Sequence, residues 1–354
     1  SGRRPASGLH AVRRRGSAPC RNADVIPMIA TILSFPFAMA LFAVSASGDQ
    51  PAFAFPVDCR VGESCLIQKL VDHDPGPGRS DYRCGTLTTD GHDGIDIRLR
   101  TMADMRAGYA VLAARDGLVL RTRDGEPDIS VTERTAPADK QAGNGVVIDH
   151  GDGWETQYSH LQRGSVAVRP GQRVAAGERI GLIGLSGNSE FPHLHFAIRH
   201  RGQPIDPFTG GAADASCAAA GASTGLWTPA AALQLGYRPT AVIAAGLASA
   251  VPAKAVTGRD PSPRLAGRDA PLILWVDAMG AKSGDRQSFA IAGPDRGIVH
   301  SQQSVVAGGG LSWFAYSGKR APPGGWPAGH YIGRYILRRG PDIVAEFDVE
   351  GVIE

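Results

Sequence analysis

The chain has no CxxC pair among its 354 residues, which argues against a cysteine-ligated zinc cluster. It has no internal repeat and no heptad pattern, so neither a repeat array nor a coiled coil is expected. It also lacks a broad excess of positive charge. Residues 1–46 contribute +5 of the formal net charge of +3 (six arginines against Asp24), leaving −2 for the remainder. A chain so near neutrality makes no general electrostatic claim on nucleic acid, and none is expected as a partner. No lysine lies between Lys140 and Lys254. The turn-rich segment Val168–Gly181 looks like a hairpin of a biotinyl or lipoyl carrier. Such carriers need a lysine on an exposed turn, so attachment there is excluded.

Glycine and proline are abundant (46 and 25), scattered between short apolar runs, and read as the turns of a β-rich protein. Val25–Gly48 carries no charge, follows a group of arginines and ends in small residues, with Val44-Ser45-Ala46 as a cleavage site. This is the layout of an export signal, so residues 1–46 are read as an N-terminal extension and signal peptide. Pro27 and Pro36 argue against a stable membrane anchor, and no membrane insertion is expected after cleavage. Cys20 lies upstream of the signal; Cys59, Cys65, Cys84 and Cys217 remain, an even set for an exported protein. Of the three pairings available, Cys59–Cys65 with Cys84–Cys217 is expected.

Beyond a linker at 47–57, short β-type runs dominate. Ala110–Ala114 and Leu118–Thr122 flank Asp116-Gly117, and Gly145–Asp149 and Trp154–Leu161 flank His150-Gly-Asp-Gly153; each pair reads as a hairpin. Ile180–Ile183 and His193–Ile198 are further strands, and 123–142 reads as an inserted loop. Residues 209–225 are rich in Gly, Ala and Ser. Past them, Leu272–Asp277, Gln287–Ile291, Ser312–Tyr316, His330–Leu337 and Ile343–Val349 suggest an antiparallel, immunoglobulin-like sandwich. Its aromatics, Trp275, Trp313, Phe314, Tyr316, Trp326, Tyr331 and Tyr335, read as core.

Six of the ten histidines stand alone and carry no chemical expectation. The others form a pattern with one aspartate. In Gly91-His92-Asp93-Gly94-Ile95-Asp96, positions 92 and 96 share a face but lie about 13 Å apart along a straight strand. One metal can take both only if the chain bends, and Gly94 would permit that. In Pro192-His193-Leu194-His195-Phe196, spacing of two puts both imidazoles on one strand face. In Trp154–Leu161, alternation puts Trp154, Thr156, Tyr158 and His160 on one face, suited to substrate contact beside a metal.

Together these elements, in this order, resemble the M23 family of zinc endopeptidases, the LytM or lysostaphin-type cell-wall hydrolases. The resemblance covers roughly residues 85–207. It also includes Asn144-Gly145-Val-Val-Ile-Asp-His150-Gly151, Gly184-Leu-Ser-Gly187 and Pro204-Ile-Asp-Pro207. It implies one Zn²⁺ held by His92, Asp96 and His195, with His160 and His193 as the two catalytic histidines, their roles not divided. Such a site leaves a position for water, as catalytic zinc requires. Implied with it are cleavage of peptidoglycan peptide stems and a location in the periplasm or cell envelope, or outside the cell. The chain departs from the family at 190–192, where Glu-Phe-Pro replaces a small residue and Gly-Pro, and in the long loop at 123–142. Both bear on groove shape.

The expectation is therefore a mostly β protein, with a LytM-like β-sheet peptidase domain at 58–217, a connector at 218–240 and a β-sandwich accessory domain at 241–354. The connector suggests that residues 47–220 fold and bind zinc alone. The rival readings are a non-enzymatic envelope scaffold that activates other hydrolases, and a peptidase of extracellular protein. The five filled site positions favour the enzyme over the scaffold.

Overall fold

Apolar alternation in the first half of the chain builds one long antiparallel sheet. The computed structural model describes residues 50–217, 225–253, 258, 260–262 and 264–354. The expected signal, Cys20 and positions 218–224 of the connector lie outside the described residues. Residues 49–354 form one compact unit. The elements are β1 (Cys65–Lys69), β2 (Ile95–Leu99), α1 (Met102–Ala107), β3 (Ala110–Leu112), β4 (Gly117–Arg123), β5 (Asn144–Asp149) and β6 (Trp154–Leu161). They continue through β7 (Arg173–Val174), β8 (Arg179–Leu182), β9 (His193–His200), β10 (Gln203–Ile205) and α2 (Pro229–Ala232). The sheet runs β1-β2-β9-β6-β5-β4-β7, with β10 on β9, while β3 and β8 pair separately.

The central strands β2, β9 and β6 have two distinct faces. Ile95 pairs with Phe196, Ile97 with Leu194 and Tyr158 with Phe196, and all of these are buried in the core. Asp96 pairs with His195, Arg98 with His193 and Ser159 with His195, so the opposite face carries the polar row. Burying apolar side chains on the first face fixes register, because a slip of one residue would turn the histidines into the core.

The hairpin expected across Asp149–Trp154 forms, as β5 against β6. The one expected across Asp116-Gly117 does not: β3 pairs with β8, and β4 with β5 and β7. The Asp-Gly dipeptide marks a turn, but the partners come from elsewhere in the chain. Both expected disulfides are present, Cys59–Cys65 and Cys84–Cys217.

The second half comprises β11 (Ala241–Ala248), β12 (Leu272–Met279), β13 (Arg286–Ala292), β14 (Ile298–Val305), β15 (Trp313–Lys319), β16 (Gly329–Arg339) and β17 (Asp342–Ile353). They form two antiparallel sheets, β11-β12-β15 and β14-β13-β16-β17. Leu274 and Val276 from the first sheet share a core with Phe289, Tyr335 and Leu337 from the second. Trp275, Trp326, Tyr331 and Tyr335 are buried, whereas Tyr316 is 49% exposed, so that one aromatic is not core.

The two halves are not held apart by a bare link. Leu226, Trp227 and Leu235 are buried in the peptidase core, and Phe53 bridges to Trp227. Ile243, Trp275 and Met279 of the sandwich belong to the same buried cluster. Arg100 rivets the junction, donating to the carbonyls of Gly62 and Glu63 on one side and of Val242 and Ile243 on the other.

Candidate metal centre

His92, Asp96 and His195 bring one ligand atom each to within 4.8 Å of one another. The His92 Nε2 lies 3.0 Å from Asp96 Oδ1, and His195 Nδ1 lies 3.1 Å from the same oxygen. Ligands about 2 Å from one tetrahedral ion stand about 3.3 Å apart, so this donor set fits zinc. The remaining oxygen of Asp96 is 3.1 Å from the Lys69 ammonium, which leaves Oδ1 as the free donor.

The chain bends at Gly94, between His92 and the start of β2, just after a turn closed by His92 N–H on the Thr89 carbonyl. Gly94 serves this bend through size and not through an unusual dihedral. A Cβ there would lie 2.6 Å from the Phe196 carbonyl and 2.8 Å from His195 Nε2.

Three imidazoles are pinned in the same way. His92 Nδ1 donates to Leu70 O (2.8 Å), His160 Nδ1 to Ser186 O (2.7 Å) and His193 Nδ1 to Phe191 O (2.9 Å). A carbonyl only accepts, so each Nδ1 carries the proton and, in the neutral ring, each Nε2 is bare. Burial pushes the His193 imidazole down to about 4 against the pull of Asp96. Burial, aided by His193 and His195, holds His160 well below the usual histidine range. Both are therefore neutral at pH 7.

His195 is the exception. Its Nδ1 faces Asp96 and its Nε2 lies 3.1 Å from Asp93 Oδ1. Burial disfavours a charge there, but the two carboxylates outweigh it and raise the ring to about 9. Burial alone would also raise Asp96, yet His193, His92 and His195 keep it well below the usual carboxylate range. A buried anion ringed by imidazoles is a place for a cation; beside it, the bare Nε2 of His92 and the Nδ1 of His195, once its proton is displaced, would make that cation a metal.

His160 reaches this group by a route that alternation hides. It has φ 63°, in the left-handed region, and sits in a β-bulge where Asn144–Val146 face Tyr158–Leu161. The bulge turns His160 out of the face shared by Trp154, Thr156 and Tyr158, and its ring centroid lies 4.6 Å from that of His193. The expectation that all four share the site face is thus corrected. Tyr158 is fully buried, with its hydroxyl on Ala114 N, and only His160 arrives. Asn144 and Ser186, which the motifs contain without assigning them a task, hold the bulge. Asn144 N–H donates to Ser186 Oγ, and both side chains donate to the Leu161 carbonyl.

Asp93 and Arg199 also went unassigned by spacing. Arg199 donates to Asp93 Oδ2 (2.5 Å) and to Gln157 (2.9 Å), completing a chain behind His195. Period-two alternation from His195 through Ala197 to Arg199 was the available signal. All five expected residues line one cavity of about 460 Å³. Its walls include the loop before β2, Val131 of the inserted loop, and Asn188–Phe191.

The model of peptidase family M23 matches residues 90–207, the segment that carries all five side chains. Residues 90–207 are an M23 peptidase domain. Over 115 residues the chain is 36% identical to the peptidoglycan DD-endopeptidase ShyA of Vibrio cholerae, covering 32% of this chain and 22% of that protein. It is 46% identical over 65 residues to the DD-carboxypeptidase/endopeptidase Mpg of Neisseria meningitidis serogroup B, covering 18% and 14%. A crystal structure of a zinc-containing peptidase from Vibrio cholerae aligns with TM-score 0.31 and 27% identity, over 47% of this chain and 40% of that one. The M23 domain is thus the shared part; the matches span under a quarter of either relative.

Proposed function

We propose that this chain is an exported zinc-dependent endopeptidase that hydrolyses peptide cross-links of peptidoglycan. The observation that carries the reading is the convergence of three imidazoles, those of His92, His193 and His195, on the single carboxylate of Asp96, inside an M23 domain. In this reading His92, Asp96 and His195 hold the metal. Zinc bound there supplies an acidified water and a Lewis acid for the scissile carbonyl.

The chain's own groups do the rest. Lys69 fixes the carboxylate of Asp96 by its second oxygen. Asp93 fixes the plane of His195, and Leu70 O that of His92. His193 and His160, neutral and with Nε2 unprotonated, supply the base that takes a proton from water. Once protonated, such an imidazole donates to the oxyanion or the departing amine. Burial keeps both bases neutral down to acid pH, so the pair is in working form throughout the neutral range.

Relatives named as peptidoglycan DD-endopeptidases support the substrate class. Among the described residues no helix is long and apolar enough to cross a membrane. The test is digestion of purified sacculi by residues 47–354, with released muropeptides identified by mass spectrometry. Cleavage of peptide cross-links, abolished by a chelator and restored by zinc, is expected. Intact sacculi beside a cleaved extracellular protein would contradict the substrate assignment.

A further inference from the structure

The sandwich reaches the edge of the cavity that holds the five site residues. Leu311 and Ser312, between β14 and β15, line it on the β1 side, where the peptidase sheet ends. The contact is built, not incidental. Gln68 of β1, 2% exposed, donates from Nε2 to the Leu311 carbonyl at 2.8 Å. The same amide accepts on Oε1 from Arg98 Nη1 at 2.8 Å. Arg98, also 2% exposed, lies with its guanidinium 4.0 Å from the centre of the Phe191 ring. Phe191 in turn accepts the Nδ1–H of His193.

A buried chain of contacts therefore runs from the sandwich loop, through Gln68 and Arg98, to a side chain at the centre of the site. Asp277 of β12 adds an attraction to the Arg98 guanidinium from the sandwich side. Phe191 belongs to the Glu-Phe-Pro that departs from the family pattern, and its ring is what Arg98 packs on. The departure and the second domain thus meet at one place.

We propose that the sandwich completes the substrate groove, with Leu311 and Ser312 forming the wall that contacts the stem-peptide residue lying on the β1 side of the metal centre. This rests on the hydrolase reading above. A wall made by another domain acts on binding of the substrate and leaves the chemical step to the histidines. It makes the sandwich a specificity element of the peptidase. Ser312 is exposed, so its side chain can be enlarged without disturbing a core.

The experiment compares residues 47–354 with the variants Ser312→Trp and, as a control on the exposed edge strand, Gln303→Trp. The substrate is a purified cross-linked muropeptide dimer, and kcat and KM are measured separately, with zinc content and Tm beside them. Ser312→Trp is expected to raise KM by about tenfold, with kcat within about twofold. Zinc content and Tm should stay unchanged, and Gln303→Trp should behave as the unmodified chain. Unchanged KM in Ser312→Trp, or an equal effect of Gln303→Trp, overturns the inference while leaving the hydrolase reading intact. A fall in kcat with KM unchanged also overturns it. No cleavage by the unmodified chain overturns both.

Discussion

Asp93 shows how a side chain one position from a motif residue can govern it. Its two oxygens join His195 to Arg199, so the imidazole is oriented from behind while its Nδ1 faces the metal position. Partners of this kind commonly contribute 10–100-fold in metal affinity. Asp93→Asn is therefore expected to weaken zinc binding by about that factor, read by competition with a chromophoric chelator, with the fold retained. Unchanged affinity would leave Asp93 a surface acid and nothing more. At this scale the sequence was legible where chemistry and spacing coincide: His193 and His195 share a face because they are two positions apart on one strand. It was illegible at His160, because the period-two rule assumes a regular strand and the bulge breaks it. A left-handed φ on a non-glycine residue is costly, about 1–3 kcal/mol, and no pattern of residue types announces it.

Among the elements, the strap after β10 is fastened at two points. His73 places Nδ1 2.7 Å from the Ala215 carbonyl and Nε2 2.7 Å from Asp206 Oδ2. Both partners accept, so both ring nitrogens donate and the ring is an imidazolium. Burial opposes that charge, but Asp206 and Ala215 outweigh it and raise the pKa above 6.5. The pair's contribution is therefore complete below about pH 6.5 and fades as pH rises through the raised folded value. The Tm advantage of the unmodified chain over His73→Gln should be full below about pH 6.5 and narrow as pH rises above it. An advantage that widens over that range contradicts the assignment. Next to it, Cys84–Cys217 closes a loop of 133 positions, which contributes about 4–5 kcal/mol in the chain-entropy model. The cysteine pairing was legible from parity and spacing. His73 was not, because a lone histidine gives no sign that Asp206, 133 positions on, will meet it.

For the whole molecule, composition and turn spacing sufficed to read two β-rich halves, since five of the seven sandwich strands announce themselves by alternation. The link between them was misleading. Gly, Ala and Ser suggest a tether, yet Leu226, Trp227 and Leu235 just beyond complete the peptidase core. Three apolar side chains in a short stretch carry no periodicity to betray their burial. A fragment ending at residue 220 loses them and uncovers the surface that Ile243 and Trp275 protect. Loss of a buried Trp alone costs about 3–5 kcal/mol. Residues 47–220 are expected to unfold about 10 °C or more below residues 47–354, with residues 47–240 between them, in thermal scans of all three. Equal Tm values for the shortest and longest chains would restore the tether.

Of the five clustered side chains, three are proposed to hold zinc and two to act beside it. His193 and His195 test that division best, since they lie two positions apart on one strand face and a structural role would make them alike. The measurement is zinc content after dialysis, beside sacculus clearing, for His193→Ala and His195→Ala. His195→Ala should lose zinc. His193→Ala should keep nearly stoichiometric zinc while clearing falls by about 10²–10⁴-fold. Equal zinc loss in both variants, or full clearing by His193→Ala, would contradict the account.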